Sequence, residues 1–326
     1  MATSDESMTA LAYPEHDKLG PLGSRASALH DPIELRAKLI QEFASCVQQA
    51  KDAVGELDHG STTAVHEARK ALRRARSLIM IIGKALPKHE RRAVLQALQD
   101  ARRSLSTVRD HAVAPATLGA IELSDDDRET AKRILDNGAA GIPATSEIKQ
   151  LLGEAAARAA AQAEALEAAL PQQVSWDDIL DGVRALYDEA RYARRSSKRS
   201  RQWFHNWRRR TKELSYALDF LARQAGPRVL AIHHELDAVA DVLGPAVDRI
   251  MLRDYVVTHA TGVPADAVDH LRRTIDRELD DLMKMTRKDA RDAFSLKPKK
   301  FARRLAKAAK RDLTPPDDER SNGTAS

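Results

Sequence analysis

Apolar residues recur along most of this chain at the three-to-four spacing of an amphipathic helix. Asp31 and Pro32 open the first such segment as N-cap and first helical residue. Ile33, Leu35, Leu39, Phe43, Val47 and Val54 supply its apolar side, and it is predicted to run to about Leu57. Asp58-His59-Gly60 reads as a turn. Ser61 or Thr62 then caps a helix ending near Leu86-Pro87, and a further helix covers about 88–106. Asp110 and its neighbours begin a short helix or turn, and Ser124 with Asp125, Asp126 and Asp127 reads as an acidic cap. Asn137-Gly138 and Gly141-Ile142-Pro143 read as a loop, and 146–170 as an alanine-rich helix ending at Pro171.

The second half starts with Ser175 as a cap, on a helix that ends in the basic run 191–199. The helix of His205 ends at Gly226-Pro227. Helices at about 228–243, 246–260 and 264–290 follow, broken at Gly244-Pro245 and Gly262-Val263-Pro264, and a basic helix closes at about Arg311. Residues 1–30 lack periodicity and read as a flexible extension; 312–326 read as a disordered polar tail. The fold class is therefore all-α. A first half, 31–171, and a second, 172–311, each supply antiparallel-capable helices for two helical bundles packed together.

The polar faces carry the chemistry. At about 100° per residue, Ala68, Leu72, Ala75, Ile79 and Ile82 share one face of their helix. His66, Arg69, Lys70, Arg73 and Ser77 share the other, flanked by Arg74 and Arg76. Arg69/Arg73 and Lys70/Arg74 are like-charge i,i+4 pairs, each costing an isolated helix about 0.2–0.5 kcal/mol. Something outside the helix must compensate, and a polyanion would. The design returns at His205, Arg208, Arg209, Lys212 and Tyr216, opposite Trp207, Leu214, Leu218 and Leu221. The two histidines are 139 residues apart, and Leu105–Asp110 aligns with Leu243–Asp248 at an offset of 138, which points to an internal duplication.

Composition sharpens this. Aromatic residues are 4% and charged residues 31% of 326, and the formal net charge is +5. Segments 65–79, 191–212 and 297–311 hold 23 of the 53 Lys+Arg and a single acid, Glu67, so the remainder has a net charge of −17. Such segregation marks a site for an anionic partner. A single cysteine, Cys46, excludes an internal disulfide and fits a reducing cytoplasm, where it reads as a buried small hydrophobe. No stretch approaches 18 apolar residues, so no membrane span is expected, and no secretory signal is evident.

The ordered motifs resemble those of the CHAD domain, the conserved histidine α-helical domain. They are His66-x-x-Arg69-Lys70-x-x-Arg73-Arg74-x-Arg76 and His205-x-x-Arg208-Arg209-x-x-Lys212-x-Leu214-x-Tyr216. Arg109-Asp110, Tyr187-x-x-x-Arg191 and the closing segment Lys297–Leu305 add to them, and the resemblance covers about residues 31–310. It implies two four-helix-bundle-like halves related by a pseudo-two-fold and facing a central basic cavity. It implies binding of inorganic polyphosphate, association with polyphosphate granules, and no catalysis. No β-rich triphosphate-tunnel segment is present, so this reads as a stand-alone copy. The sequence departs from the family pattern at Ser215, Val247 and His111-Ala112.

The expected ligand contacts are His66, Arg69, Lys70, Arg73, Arg74, Arg76 and Arg109, with His205, Arg208, Arg209 and Lys212 from the second half. Arg191, Arg194, Arg303 and Arg304 are secondary candidates. Arginine suits the task because its planar fork makes bidentate bonds to phosphate oxygens. For His66 and His205 a phosphate donor and a structural histidine stay open. A metal site is disfavoured, since adjacent residues such as His66-Glu67 or His233-His234 do not face each other on a helix. Asp110 and Asp248 read as acids or as partners that hold an arginine, and Trp203, Trp207 and Tyr216 as core or wall. Nucleic-acid binding, with Trp203 and Trp207 stacking bases, is the alternative function. A phosphoanhydride-acting enzyme is a third. No cofactor is expected, and the closing basic helix has too small an apolar side to anchor to a membrane.

Overall fold

A computed structural model describes residues 31–313. The expected N-terminal extension, and the tail beyond Leu313, lie outside the described residues. Within them the chain is all-α, with twelve α-helices, three short 3₁₀ segments and no strand. The helices are α1 (Pro32–Asp52), α2 (Ser61–Ile82), α3 (Lys88–Ser104), α4 (Ser106–Gly119), α5 (Asp125–Ala139) and α6 (Thr145–Ala169). They continue as α7 (Trp176–Ser196), α8 (Arg201–Ala225), α9 (Pro227–Val242), α10 (Gly244–Thr258), α11 (Ala265–Asp289) and α12 (Pro298–Leu313). No helix is long and apolar enough to cross a membrane among the described residues.

Capping residues fix many of the starts. The Asp31 carboxylate accepts from Ile33 N at 2.8 Å, and Ser124 Oγ from Asp127 N at 3.1 Å. Ser175 and Asp178 form a reciprocal capping box, and Ser200 Oγ accepts from Trp203 N. Several boundaries differ from expectation, and three of them turn on a glycine. The first helix stops at Asp52 and continues as 3₁₀ over Gly55–His59, because a glycine inside a helix costs about 1 kcal/mol relative to alanine. Gly60 rather than Ser61 or Thr62 is the N-cap of α2; its φ of 120° lies where other residues are strained. Asn137 and Gly138 lie inside α5 rather than in a loop. Gly138 is there for space: a Cβ would overlap the Tyr255 hydroxyl.

The helices close into rings. α1, α2, α3 and α6 pack around one core, and α7, α8, α9 and α12 around another. α2 also packs on α7 and α8, so the two cores merge into one continuous cluster. The remaining helices form a third ring, with α4 on α10, α10 on α11, α11 on α5 and α5 on α4. Its core, including Leu118, Ile134, Tyr255 and Leu271, is separate from the main one. This ring is an addition to the two expected bundles. It forms because α4–α5 and α10–α11 are helical pairs with one apolar face each, and neither can bury that face alone.

α2 is deeply enclosed. Twelve of its side chains are buried, from Ala64 to Ile82. Its C-terminal end touches α7 at Gly182, where a Cβ would overlap the Ile81 carbonyl group. Neither backbone can yield locally. Gly182→Ala is expected to destabilise the protein by about 1–3 kcal/mol through overpacking, measured as a lower denaturation midpoint.

Candidate functional site: a cleft between two cation-bearing helices

α2 and α8 lie side by side. The cation face of α2 and that of α8 open into one cleft of about 620 Å³, walled further by α3, α4, α9 and α10. Eleven of the expected ligand residues line it: His66, Arg69, Lys70, Arg73, Arg74, Arg76, Arg109, His205, Arg208, Arg209 and Lys212. Arg191, Arg194, Arg303 and Arg304 do not. Arg191 and Arg194 stand at the far end of α7, Arg303 is exposed on α12, and Arg304 is held by Glu235 at 2.6 and 2.9 Å. Sequence patterning does not assign Arg102, Asp219, Asp237, Asp241 or His233 to the ligand site, and they also line the cleft. Their positions carry no relation to the spacing of the two motifs.

Ten Arg and Lys side chains face five carboxylates here. Much of the compensation that α2 demands therefore comes from the protein itself. Arg74 pairs with Asp219 of α8 at 2.6 Å, and Arg76 with Glu213 at 3.0 Å. Glu213 also takes Arg210 at 2.7 Å, and Arg210 reaches Glu189 of α7 at 2.9 Å. Burial opposes ionisation of Glu213, but the charges of Arg210, Arg76 and Arg209 outweigh it and hold its pKa at about 2. Lys70 pairs with Glu67 on its own helix, and Arg69 donates to the Arg102 carbonyl at 2.7 Å. Burial, then the charges of Arg102 and Arg73, push Arg69 down to about 9, so it stays protonated at neutral pH.

The second half has its own anchors. Lys212 lies 3.0 Å from Asp237 and 2.9 Å from Asp241, an i,i+4 pair on α9. Burial opposes, but those hydrogen bonds raise the Lys212 pKa above its usual value. Ser215, one of the departures from the family pattern, is fully buried and donates to Asp237 at 2.6 Å. It thus orients the carboxylate that holds Lys212. Asp110 and Asp248 converge on one cation, Arg109, at 3.1 and 3.4 Å.

Arg73, Arg208 and Arg209 make no ion pair with a carboxylate among the described residues. Burial lowers the pKa of Arg73 and of Arg208; for Arg208 the Asp248 charge opposes this and the Arg73 charge adds to it. The Nε atoms of Arg208 and Arg209 are buried without a hydrogen-bond partner. His66 is exposed at the rim; partial burial of its ring, then the neighbouring Arg73 and Lys70, lower its pKa against the pull of Glu67. Trp207 is fully buried, and Trp203 packs on the core with its ring edge-on to Tyr192. Cys46 is buried and its thiol pushed up to about 12. No group of three or more His, Cys, Asp or Glu among the described residues could hold a metal ion.

The family model for the CHAD domain matches residues 40–257. Among solved structures, the crystal structure of the CHAD domain from the plant Ricinus communis is similar, with a TM-score of 0.59 at 20% identity. The similarity covers 85% of this chain and 97% of that one. No curated protein matches the sequence.

Glu213 also makes stability depend on acid. Its pKa falls from an ordinary 4.5 to about 2 on folding. Its stabilisation is therefore fully present above about pH 4.5 and is lost as pH falls through about 2. Glu213→Gln is expected to cost about 3–5 kcal/mol at neutral pH, because Arg76 and Arg210 lose a buried counter-charge. Denaturation measured across that pH window should show the acid-dependent part missing in the variant.

Proposed function

This chain belongs to the CHAD domain family, and from that premise we propose that it binds inorganic polyphosphate in the cleft between α2 and α8 without converting it. The observation that carries the reading is the cation excess of the cleft, with Arg73, Arg208 and Arg209 making no ion pair among the described residues. Low-dielectric walls strengthen the field of such a site. A phosphate chain supplies closely spaced oxygens that satisfy several guanidinium groups at once. His66, Arg69, Lys70 and Arg73 correspond at an offset of 139 to His205, Arg208, Arg209 and Lys212. In this reading the cleft is the central basic cavity of two pseudo-symmetric halves, and each half contributes the same set of donors.

The paired cations have a second role. Carboxylates such as Asp219 and Asp248 hold Arg74 and Arg109 in place while leaving donor hydrogens on each fork. A single phosphate gains little by competing with them, whereas a chain gains at many positions together. Granule association follows from the same chemistry, since a granule presents the same polyanion. The nucleic-acid alternative relies on stacking, and the burial of Trp207 removes one of its two rings. The enzyme alternative needs free acids, and Arg109 occupies both Asp110 and Asp248.

Titration of purified protein with polyphosphate at low and high salt, with single-stranded RNA as competitor, tests the proposal. Tight, salt-sensitive binding that RNA barely displaces is expected; no binding, or ready displacement by RNA, overturns it. The double variant Arg73→Gln/Arg208→Gln should weaken binding and flatten the log–log salt slope by about 1.4, at roughly 0.7 for each phosphate no longer neutralised. If affinity and slope stay as in the wild type, the cleft is wrongly assigned.

Binding should also strengthen in mild acid. His66 has a lowered pKa in the free protein, which favours its neutral form. A bound polyanion favours its charged form, so the complex takes up a proton and affinity rises as pH falls from about 8 to about 5.5. His66→Gln should remove part of that rise, read as a shallower dependence of affinity on pH than in the wild type.

A further inference from the structure

A cleft of about 620 Å³ is the size of a small-molecule site, whose usual range is about 300–1,000 Å³. A long phosphate chain can place only a segment of itself inside. The rest must run along the protein surface or stay in solvent.

One tract of cations lies outside the cleft lining. α7 ends with Arg191, Arg194 and Arg195, and Lys198 and Arg199 follow in the turn before α8. Arg291, just beyond α11, joins them. Burial lowers the pKa of Arg194, and the charges of Arg191 and Arg291 lower it further, so these guanidinium groups crowd one another. In the cleft Lys70, Arg74, Arg76, Arg109 and Lys212 each have a carboxylate, and Arg73, Arg208 and Arg209 do not. In the tract none of the six cations makes an ion pair among the described residues. The nearby Asp292 acts on Arg194 only through space. The Arg191 Nε is buried without a hydrogen-bond partner. Arg287 donates to the Ser197 carbonyl at 2.9 Å and so ties the end of α7 to α11, which holds the tract together. Cations in the last turn of a helix answer its dipole, but that dipole amounts to only about half an elementary charge. Six cations exceed it several-fold.

We infer that this tract is a second polyanion contact, separate from the cleft, that takes the part of a long phosphate chain the cleft cannot hold. The identity of the chain rests on the polyphosphate reading; the excess of unpaired charge does not. The protein would then discriminate by chain length, with short chains seeing only the cleft and long chains both surfaces.

The test compares two variants on two probes, a short oligophosphate and long-chain polyphosphate. Arg194→Gln/Arg195→Gln/Lys198→Gln/Arg199→Gln alters the tract at exposed or half-exposed positions, and Arg73→Gln/Arg208→Gln alters the cleft. The tract variant should bind the short probe as the wild type does. It should bind the long probe about tenfold more weakly, with a salt slope shallower by up to about 2.8. Unchanged long-chain affinity and slope overturn the inference, as does equal weakening on both probes. If only the tract variant weakens long-chain binding, the tract stands and the cleft assignment fails. If only the cleft variant does, the cleft stands and the tract is an ordinary charged surface.

Discussion

Two helices with rows of like charge lie against each other at the centre of this protein, and their repulsion must be offset inside the fold. Glu213 is the point where that happens. It is buried on α8, accepts from Arg76 of α2 and Arg210 of its own helix, and Arg210 in turn reaches Glu189 of α7. The chain of alternating charges spans three helices of the main core. An isolated buried charge would be costly, but each member here has a partner of opposite sign. With this ladder in place, the apolar faces of α2, α7 and α8 can merge into one core.

That arrangement sorts the cations of the cleft into two kinds. Arg74, Arg76, Arg109 and Lys212 are fixed by carboxylates, and their geometry is set before any ligand arrives. Arg73, Arg208 and Arg209 have no such partner among the described residues. The first kind shapes the cleft; the second gives it affinity for anions. Preorganised donors lose less side-chain entropy on binding than flexible surface lysines do. The serine at position 215 fits this division, since it orients Asp237 rather than facing a ligand.

The third ring of helices places Arg109 and Asp248. They come from α4 and α10, whose apolar faces meet in a core separate from the main one. The ring thus joins the two halves of the chain and brings an arginine from one to an aspartate from the other, 139 residues apart. Close packing there depends on Gly138, which leaves room for the Tyr255 hydroxyl.

The all-α class, the positions of most helices and the two cation faces were legible in the sequence, because helical periodicity, Ser and Asp caps and Gly/Pro breaks are local signals. The repeated spacing of histidine and basic residues singled out α2 and α8, the two helices whose cation faces open into the cleft. Gly55 and Gly138 misled in opposite directions: one ended a helix early, and the other lay inside one for the sake of a distant tyrosine. The tertiary structure alone decided which cations are neutralised. Asp219, Glu213, Asp237 and Asp241 carry no mark in the sequence that assigns them to Arg74, Arg76 or Lys212. It also decided that Arg191 and Arg194 lie outside the cleft. The physical reason is that a helix face fixes the direction of a charge from local spacing, whereas the charge it meets depends on which helix packs opposite, and apolar packing settles that.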